Sequence, residues 1–362
     1  MDTHRTVTAF ACGIASAAIG LALVAGVLFH KQIKSVASVK RHTGYDDGYD
    51  LYEVDIAYDY DLDQIIASEV RSDQAYLDAV ANQVLPCIPI HMEAPRFACS
   101  AFGLTTAQGP ELTGRNYDFK DDTSALLVRT RPKDGYASVG FTALNNLGSN
   151  KPLDSLEGRA AAIMGPFAQL DGVNEKGVSI AVLTLDSDPC DQDTGRPVIN
   201  TSLAIRLVLD RAASTQEAVE LLSVYDMHAM AGRDYHFFIN DASGDARVVE
   251  YDPRDPERTL VATPVRQITN YYALYEHEVR PNQKNGDLGH GKERAIAIAN
   301  TLDAAASPSE STAWAALHAA AQDPNPMDIT SNTQWSVVFN NTDPGAKICL
   351  RRHWGDITSF EL

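Results

Sequence analysis

Hydrophobic and polar positions alternate in short blocks over most of the second and third thirds of the chain, a pattern typical of β-strands separated by turns. This alternation predicts strands at 101–106, 111–117, 125–130, 178–185, 235–240, 247–251, 334–340 and 347–351. Apolar residues recur at three- and four-residue spacing in other blocks, which predicts helices at 201–213, 215–224, 291–304 and 311–321. Strands and helices thus come in clusters rather than in regular alternation, and this order predicts an α+β fold.

The residues before this region show different patterns. Apolar positions at helical spacing predict one amphipathic helix over 63–85, which Pro86 ends. Residues 43–63 are acidic and rich in tyrosine, which predicts a solvated linker. A calcium-binding loop there is excluded, because Gln64 stands where an EF-hand needs glycine and Val70 where it needs glutamate.

The N-terminus carries an uncharged, mostly apolar run at 7–29, whose 23 residues are long enough to span a bilayer as a helix. The run exceeds the apolar core of most secretory signals, although Ser35-Val36-Ala37 would fit a cleavage site. We therefore predict that residues 1–42 form a membrane anchor, or else a signal segment, with a basic flank. Four basic residues follow the run and one precedes it, so the positive-inside rule alone favours a cytoplasmic body.

Charge and cysteine content exclude several classes of protein. The 362-residue chain has a formal net charge of −18, which argues against binding to nucleic acid. Its five cysteines form no C-x-x-C pair and no zinc-ligand pattern, so we expect neither a metal site nor a disulfide framework. No phosphate-binding loop, dinucleotide fingerprint or G-x-S-x-G elbow occurs, and no cofactor is expected.

One cysteine has the surroundings of a nucleophile. Cys99 opens a strand-rich region, and Arg115 and Asp118 follow 16 and 19 residues later. If the peptide bond before Cys99 were cut, this residue would supply a thiol nucleophile and, in its new α-amino group, a base. Composition alone leaves a Cys–His–Asn protease open, but that class places its cysteine at a helix N-terminus rather than at the start of a strand.

Seven segments carry a resemblance to a known family: 97–102 (FACSAF), 114–119 (GRNYDF), 171–177 (DGVNEKG), 241–244 (DASG), 249–251 (VEY), 268–270 (ITN) and 333–338 (TQWSVV). Each is weak alone, but their order and spacing are specific. On these segments, residues 95 to about 352 resemble the choloylglycine hydrolases. This family of linear amide hydrolases includes bile salt hydrolases and penicillin V acylases.

The resemblance implies an N-terminal-nucleophile hydrolase fold, a four-layer αββα sandwich, over residues 99–362. It also implies self-cleavage between Ala98 and Cys99, so that residues 43–98 would be an acidic linker and a helical propeptide. By resemblance, Cys99 is the nucleophile, Asp118 holds its α-amino group, and Arg115 favours the thiolate. The other implied site residues are Asn270 as an oxyanion donor, Thr184 through its backbone N–H, and Arg294 as a second family arginine.

The implied substrate is a small N-acyl amide, and such enzymes with leading apolar helices are commonly exported. The expectation is therefore a membrane-anchored protein with an extracytoplasmic catalytic domain. The chain departs from bile salt hydrolases in the 98 residues before Cys99, in Thr184 and in a short stretch between Asn270 and Arg294. That short stretch leaves the oligomeric state open. Two alternative functions also remain: an acyltransferase, and a membrane-tethered binding protein on a catalytically dead scaffold.

Overall fold

The computed structural model describes residues 29–84, 98–148, 152–284, 286–328 and 331–362. The strands are β1 (Lys40–Arg41), β2 (Leu51–Asp55), β3 (Ala98–Thr105), β4 (Glu111–Asp118), β5 (Ala125–Thr130), β6 (Ser138–Ala143), β7 (Asp171–Asn174), β8 (Ser179–Leu185), β9 (Val198–Asn200), β10 (Asp226–His228), β11 (Asp234–Asn240), β12 (Arg247–Tyr251), β13 (Leu260–Pro264), β14 (Gln267–Ile268), β15 (Thr333–Asn340), β16 (Gly345–Leu350) and β17 (Ile357–Glu361). The α-helices are α1 (His30–Ser38), α2 (Leu62–Ala67), α3 (Asp73–Val84), α4 (Leu156–Ala162), α5 (Thr201–Arg211), α6 (Thr215–Ser223), α7 (Lys292–Ala304) and α8 (Glu310–Ala320). Short 3₁₀ helices lie at Leu144–Leu147, Gly165–Phe167, Met230–Gly232 and Ala273–Glu278.

Most of these strands form two sheets. One has nine strands in the order β1-β2-β5-β6-β7-β8-β11-β12-β13, and the other has six in the order β14-β3-β4-β15-β16-β17. Neighbouring strands are antiparallel throughout both sheets except for β2 and β5, which run parallel. The remaining two strands, β9 and β10, form a separate parallel pair. The two sheets face each other, with β3 against β8 and β15 against β7.

Helices cover both outer faces of this pair of sheets. The α7–α8 pair packs against β3, β4 and β15, where Phe102, Leu112 and Val338 meet Ile298 and Leu317 in a small apolar cluster. On the other side, α5 packs against β7 and β8, and α6 contacts β11. The described chain therefore has the predicted α+β fold, in which helices, two sheets and helices form four layers.

The segment predicted as a solvated linker contributes a strand to the larger sheet. Residues Leu51 to Val54 are buried, and β2 pairs with β5 along its full length. The linker prediction is therefore wrong for these residues. The acidic residues made this segment look solvent-exposed in the sequence, but in the structure they are paired. Glu53 contacts Arg129 and His42, and the buried Asp50 pairs with Arg41. A buried acidic residue is tolerated when it is paired in this way.

The single helix predicted over 63–85 is also wrong in detail, because the structure has two helices there. The first ends at Ala67, and Glu69 adopts a left-handed backbone conformation with φ of 50°. Such a conformation ends a helix, because it turns the chain away from the helical path. Both α2 and α3 bury their apolar residues in the main core, as their amphipathic pattern predicts.

Apart from these two segments, the predicted strands and helices are found within about three residues of their expected ends. The sequence pattern does not predict the fully buried strands β6 and β7. It also does not predict the short or edge strands and two of the helices, namely β1, β9, β10, β13, β14, β17, α1 and α4. In the residues that the structure describes, no helix has the length and apolar character needed to cross a membrane. The apolar run at 7–29 falls outside these residues except for Phe29, as do Cys12 and Cys87.

Candidate active site

Cys99 is the second residue of β3, at the end of the sandwich where β4 finishes. In the register of these strands Cys99 lies opposite Tyr117, and Ala98 lies opposite Asp118. The peptide bond between Ala98 and Cys99 is therefore next to the Asp118 residue. Cys99 is fully buried, with 0% of its surface exposed. Its thiol, its N–H and its carbonyl each have a different partner among the predicted site residues.

Arg115 contacts the thiol. Its Nη2 atom lies 3.2 Å from Cys99 Sγ and also donates to the carbonyl oxygen of Val182 at 3.3 Å. Its Nε atom lies 3.0 Å from Asp171 Oδ2, and both side chains are fully buried. Arg115 therefore links the nucleophile candidate on the smaller sheet to a carboxylate on the larger one.

Asp118 ends β4 and is held by three donors. Thr333 Oγ1 donates to its Oδ1 at 2.6 Å, while Gln322 Nε2 and Arg294 Nη1 donate to its Oδ2 at 2.8 and 3.3 Å. Burial raises the pKa of the Asp118 carboxyl, and the Arg294 guanidinium and these hydrogen bonds oppose that rise. The carboxyl group is thus fixed in place beside the start of β3.

Asn270 connects three of the other site residues. Its Oδ1 accepts hydrogen bonds from Cys99 N at 2.9 Å and from Arg294 Nη2 at 2.8 Å. Its Nδ2 donates to the carbonyl oxygen of Thr184 at 2.9 Å and lies 3.3 Å from Thr184 Oγ1. These partners fix which side-chain atom is oxygen and which is nitrogen, since only the oxygen accepts from an N–H.

Thr184 lies near the end of β8, at the same end of the sandwich. The contact that joins it to Asn270 involves its carbonyl oxygen, whereas the family resemblance implied a role for its backbone N–H. In a strand the N–H and carbonyl of one residue point to the same side, so both groups of Thr184 are directed towards Asn270. The role of its N–H stays a prediction.

Arg294, in the first turn of α7, reaches the backbone of Cys99. Its Nη1 donates to the Cys99 carbonyl oxygen at 2.7 Å. Its guanidinium occupies the space beside Gly291, where an added Cβ would lie 2.3 Å from Arg294 Nη2. Gly291 also has a positive φ of 82°, a conformation that favours glycine. A residue with a side chain at 291 would therefore displace Arg294.

The electrostatic balance keeps the thiol protonated in the uncleaved chain. Burial raises the pKa of the Cys99 thiol to about 12. Arg115 and Arg294 lower it, and Asp118 and Asp171 raise it. The thiol therefore needs a base to become a nucleophile near neutral pH. Within the described ranges no group of three or more His, Cys, Asp or Glu side chains could hold a metal ion.

Residues 99–259, which include Cys99, Arg115, Asp118 and Thr184, match the model of the linear amide C–N hydrolases, choloylglycine hydrolase family. Over these residues the chain is similar to the choloylglycine hydrolases. The match supports a linear amide C–N hydrolase. This agrees with the resemblance that the seven sequence segments indicate. No curated protein sequence matches the chain.

Solved structures of choloylglycine hydrolases and their relatives share the fold. A mutant of the conjugated bile acid hydrolase from Clostridium perfringens is similar with a TM-score of 0.56 and 17% identity, covering 73% of this chain and 92% of the other. Penicillin V acylase from Agrobacterium tumefaciens is similar with a TM-score of 0.50 and 19% identity, covering 70% of this chain and 83% of the other. At such identities the likeness concerns the fold.

The structure brings all six predicted site residues of this hydrolase together and adds four that sequence reasoning did not assign to the site. Asp171 and Trp335 contact each other and surround Arg115, while Gln322 and Thr333 hold Asp118. Asp171, Thr333 and Trp335 stand in segments that carried the family resemblance, so a signal for them existed. Gln322 lies in a polar stretch after α8, and nothing in the sequence singles it out.

Proposed function

We propose that this protein is activated by cleavage between Ala98 and Cys99 and then hydrolyses N-acyl amides through a thioester on Cys99. One observation carries the proposal. The thiol, N–H and carbonyl of Cys99 each contact a different side chain, Arg115, Asn270 and Arg294 respectively. A structural cysteine needs no such set of polar partners, since a buried thiol behaves as a small apolar group.

The proposed cleavage uses the same thiol as later turnover. Cys99 Sγ attacks the carbonyl carbon of Ala98, the C–N bond between the two residues breaks, and the thiol proton passes to the released nitrogen. Water then hydrolyses the thioester, leaving a carboxylate on Ala98 and a free thiol and α-amino group on Cys99. Two groups at the bond support this step: the Asn270 carbonyl oxygen, which accepts from Cys99 N, and Arg294, which holds the Cys99 carbonyl.

In turnover the new α-amino group takes the proton from the thiol. An α-amino group has a pKa of about 7.7–8.0, so a neutral fraction is available near neutral pH. The thiolate attacks the substrate amide carbon, the amine leaves with that proton, and water hydrolyses the thioester to release the acid. Arg115 beside Sγ favours the thiolate, and Asp118 with Asn270 Oδ1 orients the amino group.

Asn270 Nδ2 and the N–H of Thr184 would stabilise the oxyanion in this scheme. Asn270 Nδ2 lies 2.9 Å from the carbonyl oxygen of Thr184 and 3.3 Å from its Oγ1. An amide NH₂ group has two donors, so in this scheme the tetrahedral intermediate replaces the longer contact with Oγ1.

We expect Asn270→Ala to lower kcat by about 10²–10³, the usual cost of losing one oxyanion donor. Steady-state hydrolysis of an N-acyl amide by the cleaved variant measures this. Asn341→Ala is the matched control, because Asn341 is similarly buried and makes four side-chain hydrogen bonds at the opposite end of the sandwich. Equal activity losses in both variants would mean that Asn270 acts through stability rather than through the oxyanion.

The proposal is tested first on the intact protein. N-terminal sequencing and intact mass of folded protein should reveal a fragment that begins at Cys99. The cleaved protein is then offered N-acyl amino acids, an N-acylethanolamine, a glycine-conjugated bile salt and penicillin V, and the released amine is measured. Folded protein that contains full-length chain alone, or cleaved protein that hydrolyses none of these amides, would contradict the proposal.

The same assay separates the two alternatives. An acyltransferase would form a new amide when a second amine is added, at the expense of free acid. A binding protein would remain uncleaved and hold ligand in a fixed ratio without product. An N-acyl amide with a long acyl chain is the substrate class we favour, because an apolar N-terminal run would keep the enzyme beside amphiphiles.

Membrane anchoring through residues 7–29, with the catalytic domain extracytoplasmic, is part of the same proposal. Its support is the length and uncharged character of the run. Protease treatment of intact cells should degrade the catalytic domain if it lies outside. Protection that is lost only after lysis would contradict the orientation.

A further inference from the structure

We infer that Asp171 is a positioning residue for this reaction, which aims Arg115 at the Cys99 thiol and offsets its charge. The inference rests on the proposed function, since it assigns Asp171 a part in activating the proposed nucleophile. Asp171 begins β7 in the larger sheet, whereas Arg115 and Cys99 lie on β4 and β3 of the smaller sheet. The carboxylate therefore acts across the space between the sheets.

The geometry of Arg115 makes its direction depend on Asp171. A guanidinium group is planar, so a contact at Nε fixes where the two Nη atoms point. Asp171 Oδ2 lies 3.0 Å from Nε, and Nη2 lies 3.2 Å from Cys99 Sγ. The group also lies near the rings of Tyr117 and Trp335, with Cζ 5.1 and 5.8 Å from their centres.

Asp171 is itself held firmly. The backbone N–H of Phe141 donates to its Oδ1 at 3.2 Å, and Trp335 Nε1 donates to its Oδ2 at 3.4 Å. The neighbouring strand approaches so closely that a Cβ on Gly140 would lie 2.2 Å from the carbonyl oxygen of Asp171. Oδ1 is thus held by a residue of the same sheet, and Oδ2 lies beside Trp335 and Arg115 of the facing sheet. These contacts give the carboxylate a single orientation.

Charge gives Asp171 a second effect on the thiol. The charged groups that act on Cys99 from the elements around it are Arg115 and Asp118 of β4, Asp171 of β7 and Arg294 of α7. Arg115 lowers the pKa of the thiol and Asp171 raises it. Burial raises the pKa of Asp171 itself to about 6, against the effect of Arg115. An ionised Asp171 thus limits how far Arg115 can lower the pKa of the thiol. The thiol therefore keeps its proton until the α-amino group accepts it.

Orientation and charge can be separated by two variants. Asp171→Asn keeps an oxygen beside Arg115 Nε but removes the negative charge, so the thiolate should form at lower pH. Asp171→Ala removes the contact as well, so Arg115 loses its direction. The matched control is Asp210→Asn, because Asp210 forms another buried pair, with Arg206, and does not act on Cys99.

The experiment measures alkylation of Cys99 by iodoacetamide against pH in the full chain after processing, with the modified peptides resolved by mass spectrometry. We expect the midpoint of Asp171→Asn to lie about one pH unit below that of the parent, and Asp210→Asn to leave it unchanged. For Asp171→Ala we expect kcat to fall about 10- to 100-fold while KM changes by less than about two-fold. A purely structural role would lower stability without moving the midpoint. An unmoved midpoint in folded Asp171→Asn overturns the inference.

A second variant keeps the inference testable if Asp171→Asn does not fold. Asp171→Glu retains the charge but moves the carboxylate, so kcat should fall while the alkylation midpoint stays near that of the parent. Parental kcat in this variant would overturn the positioning role. A failure of the proposed function would give a different result from a failure of this inference. If Cys99 were not the nucleophile, alkylation of Cys99 would leave amide hydrolysis unchanged in the parent and in every variant at position 171.

Discussion

Cys99→Ala yields a folded chain that is neither cleaved nor able to hydrolyse amides. The fold should survive, because β3 is held by backbone pairing to β4 and β14, and removing one buried sulfur costs about 1 kcal/mol. Cleavage should stop, because the proposed step needs the Cys99 thiol as its attacking group. Turnover should fall by on the order of 10⁴–10⁶, as it does when a covalent nucleophile is removed.

Intact mass and amine release from an N-acyl amide measure these two effects on the same sample. Cys349→Ala is the matched control, because Cys349 is also a fully buried thiol in a strand of the same sheet. We expect that variant to be cleaved and active, with a slightly lower midpoint of thermal unfolding. A cleaved or active Cys99→Ala protein would place the nucleophile elsewhere.

After cleavage, we expect the N-terminal fragment to stay bound to the catalytic fragment without a covalent link. Strand β2 lies inside the larger sheet, between β1 and β5. Leu51, Val54, Ile65 and Val80 are each exposed by 1% or less. Burying each such side chain stabilises by about 1.5–3 kcal/mol, so these four alone contribute on the order of 10 kcal/mol before the cost of association.

Polar contacts fasten the same fragment at several further points. The hydroxyl groups of Tyr58 and Tyr76 each donate to a backbone carbonyl at 2.6 Å, those of Ile163 and Phe167. Asp73 accepts from the backbone N–H of Ala231 at 3.0 Å. These partners lie at the end of α4 and in the 3₁₀ helices at Gly165–Phe167 and Met230–Gly232, so loss of the fragment would also release these segments.

The cleaved protein should therefore elute as one particle that contains both fragments and separate only in denaturant. Val54→Asp places a charge in the core and should lower the free energy of unfolding by at least about 3 kcal/mol. Gln74→Glu adds the same charge to an exposed position of the same segment and should change that free energy by less than about 0.5 kcal/mol. Separate elution of the two fragments under native conditions would show that the contacts described here are not sufficient.

Predicted strands such as β4, β8 and β11 are buried at every position, so burial alone does not decide which elements are predictable. Strands β5 and β12 carry β-branched residues, and α7 has an apolar stripe, so each is visible from local pattern alone. Strand β2 carries buried carboxylates, so its prediction depends on partners that are far away in sequence. Local pattern carries no information about such partners.

The site divides in the same way. Cys99, Arg115, Asp118 and Asn270 could be named because each lies in a short segment of distinctive composition. That Asp171 contacts Arg115 could not be known, because this contact depends on the distance between two sheets. Gln322 reaches Asp118 from a loop 204 positions along the chain. Spacing in sequence predicts which residues share a strand, but not which residues meet across the sandwich.

The parallel pairing of β2 with β5 also has a consequence for the reversibility of unfolding. Before cleavage, β2 is tethered to the rest of its sheet, so refolding is a unimolecular process whose rate is independent of protein concentration. After cleavage the same strand belongs to a separate molecule, and refolding becomes a bimolecular encounter that slows on dilution. The mature enzyme should therefore show hysteresis, with heating and cooling curves that diverge more as the solution becomes more dilute, while uncleaved Cys99→Ala retraces its path.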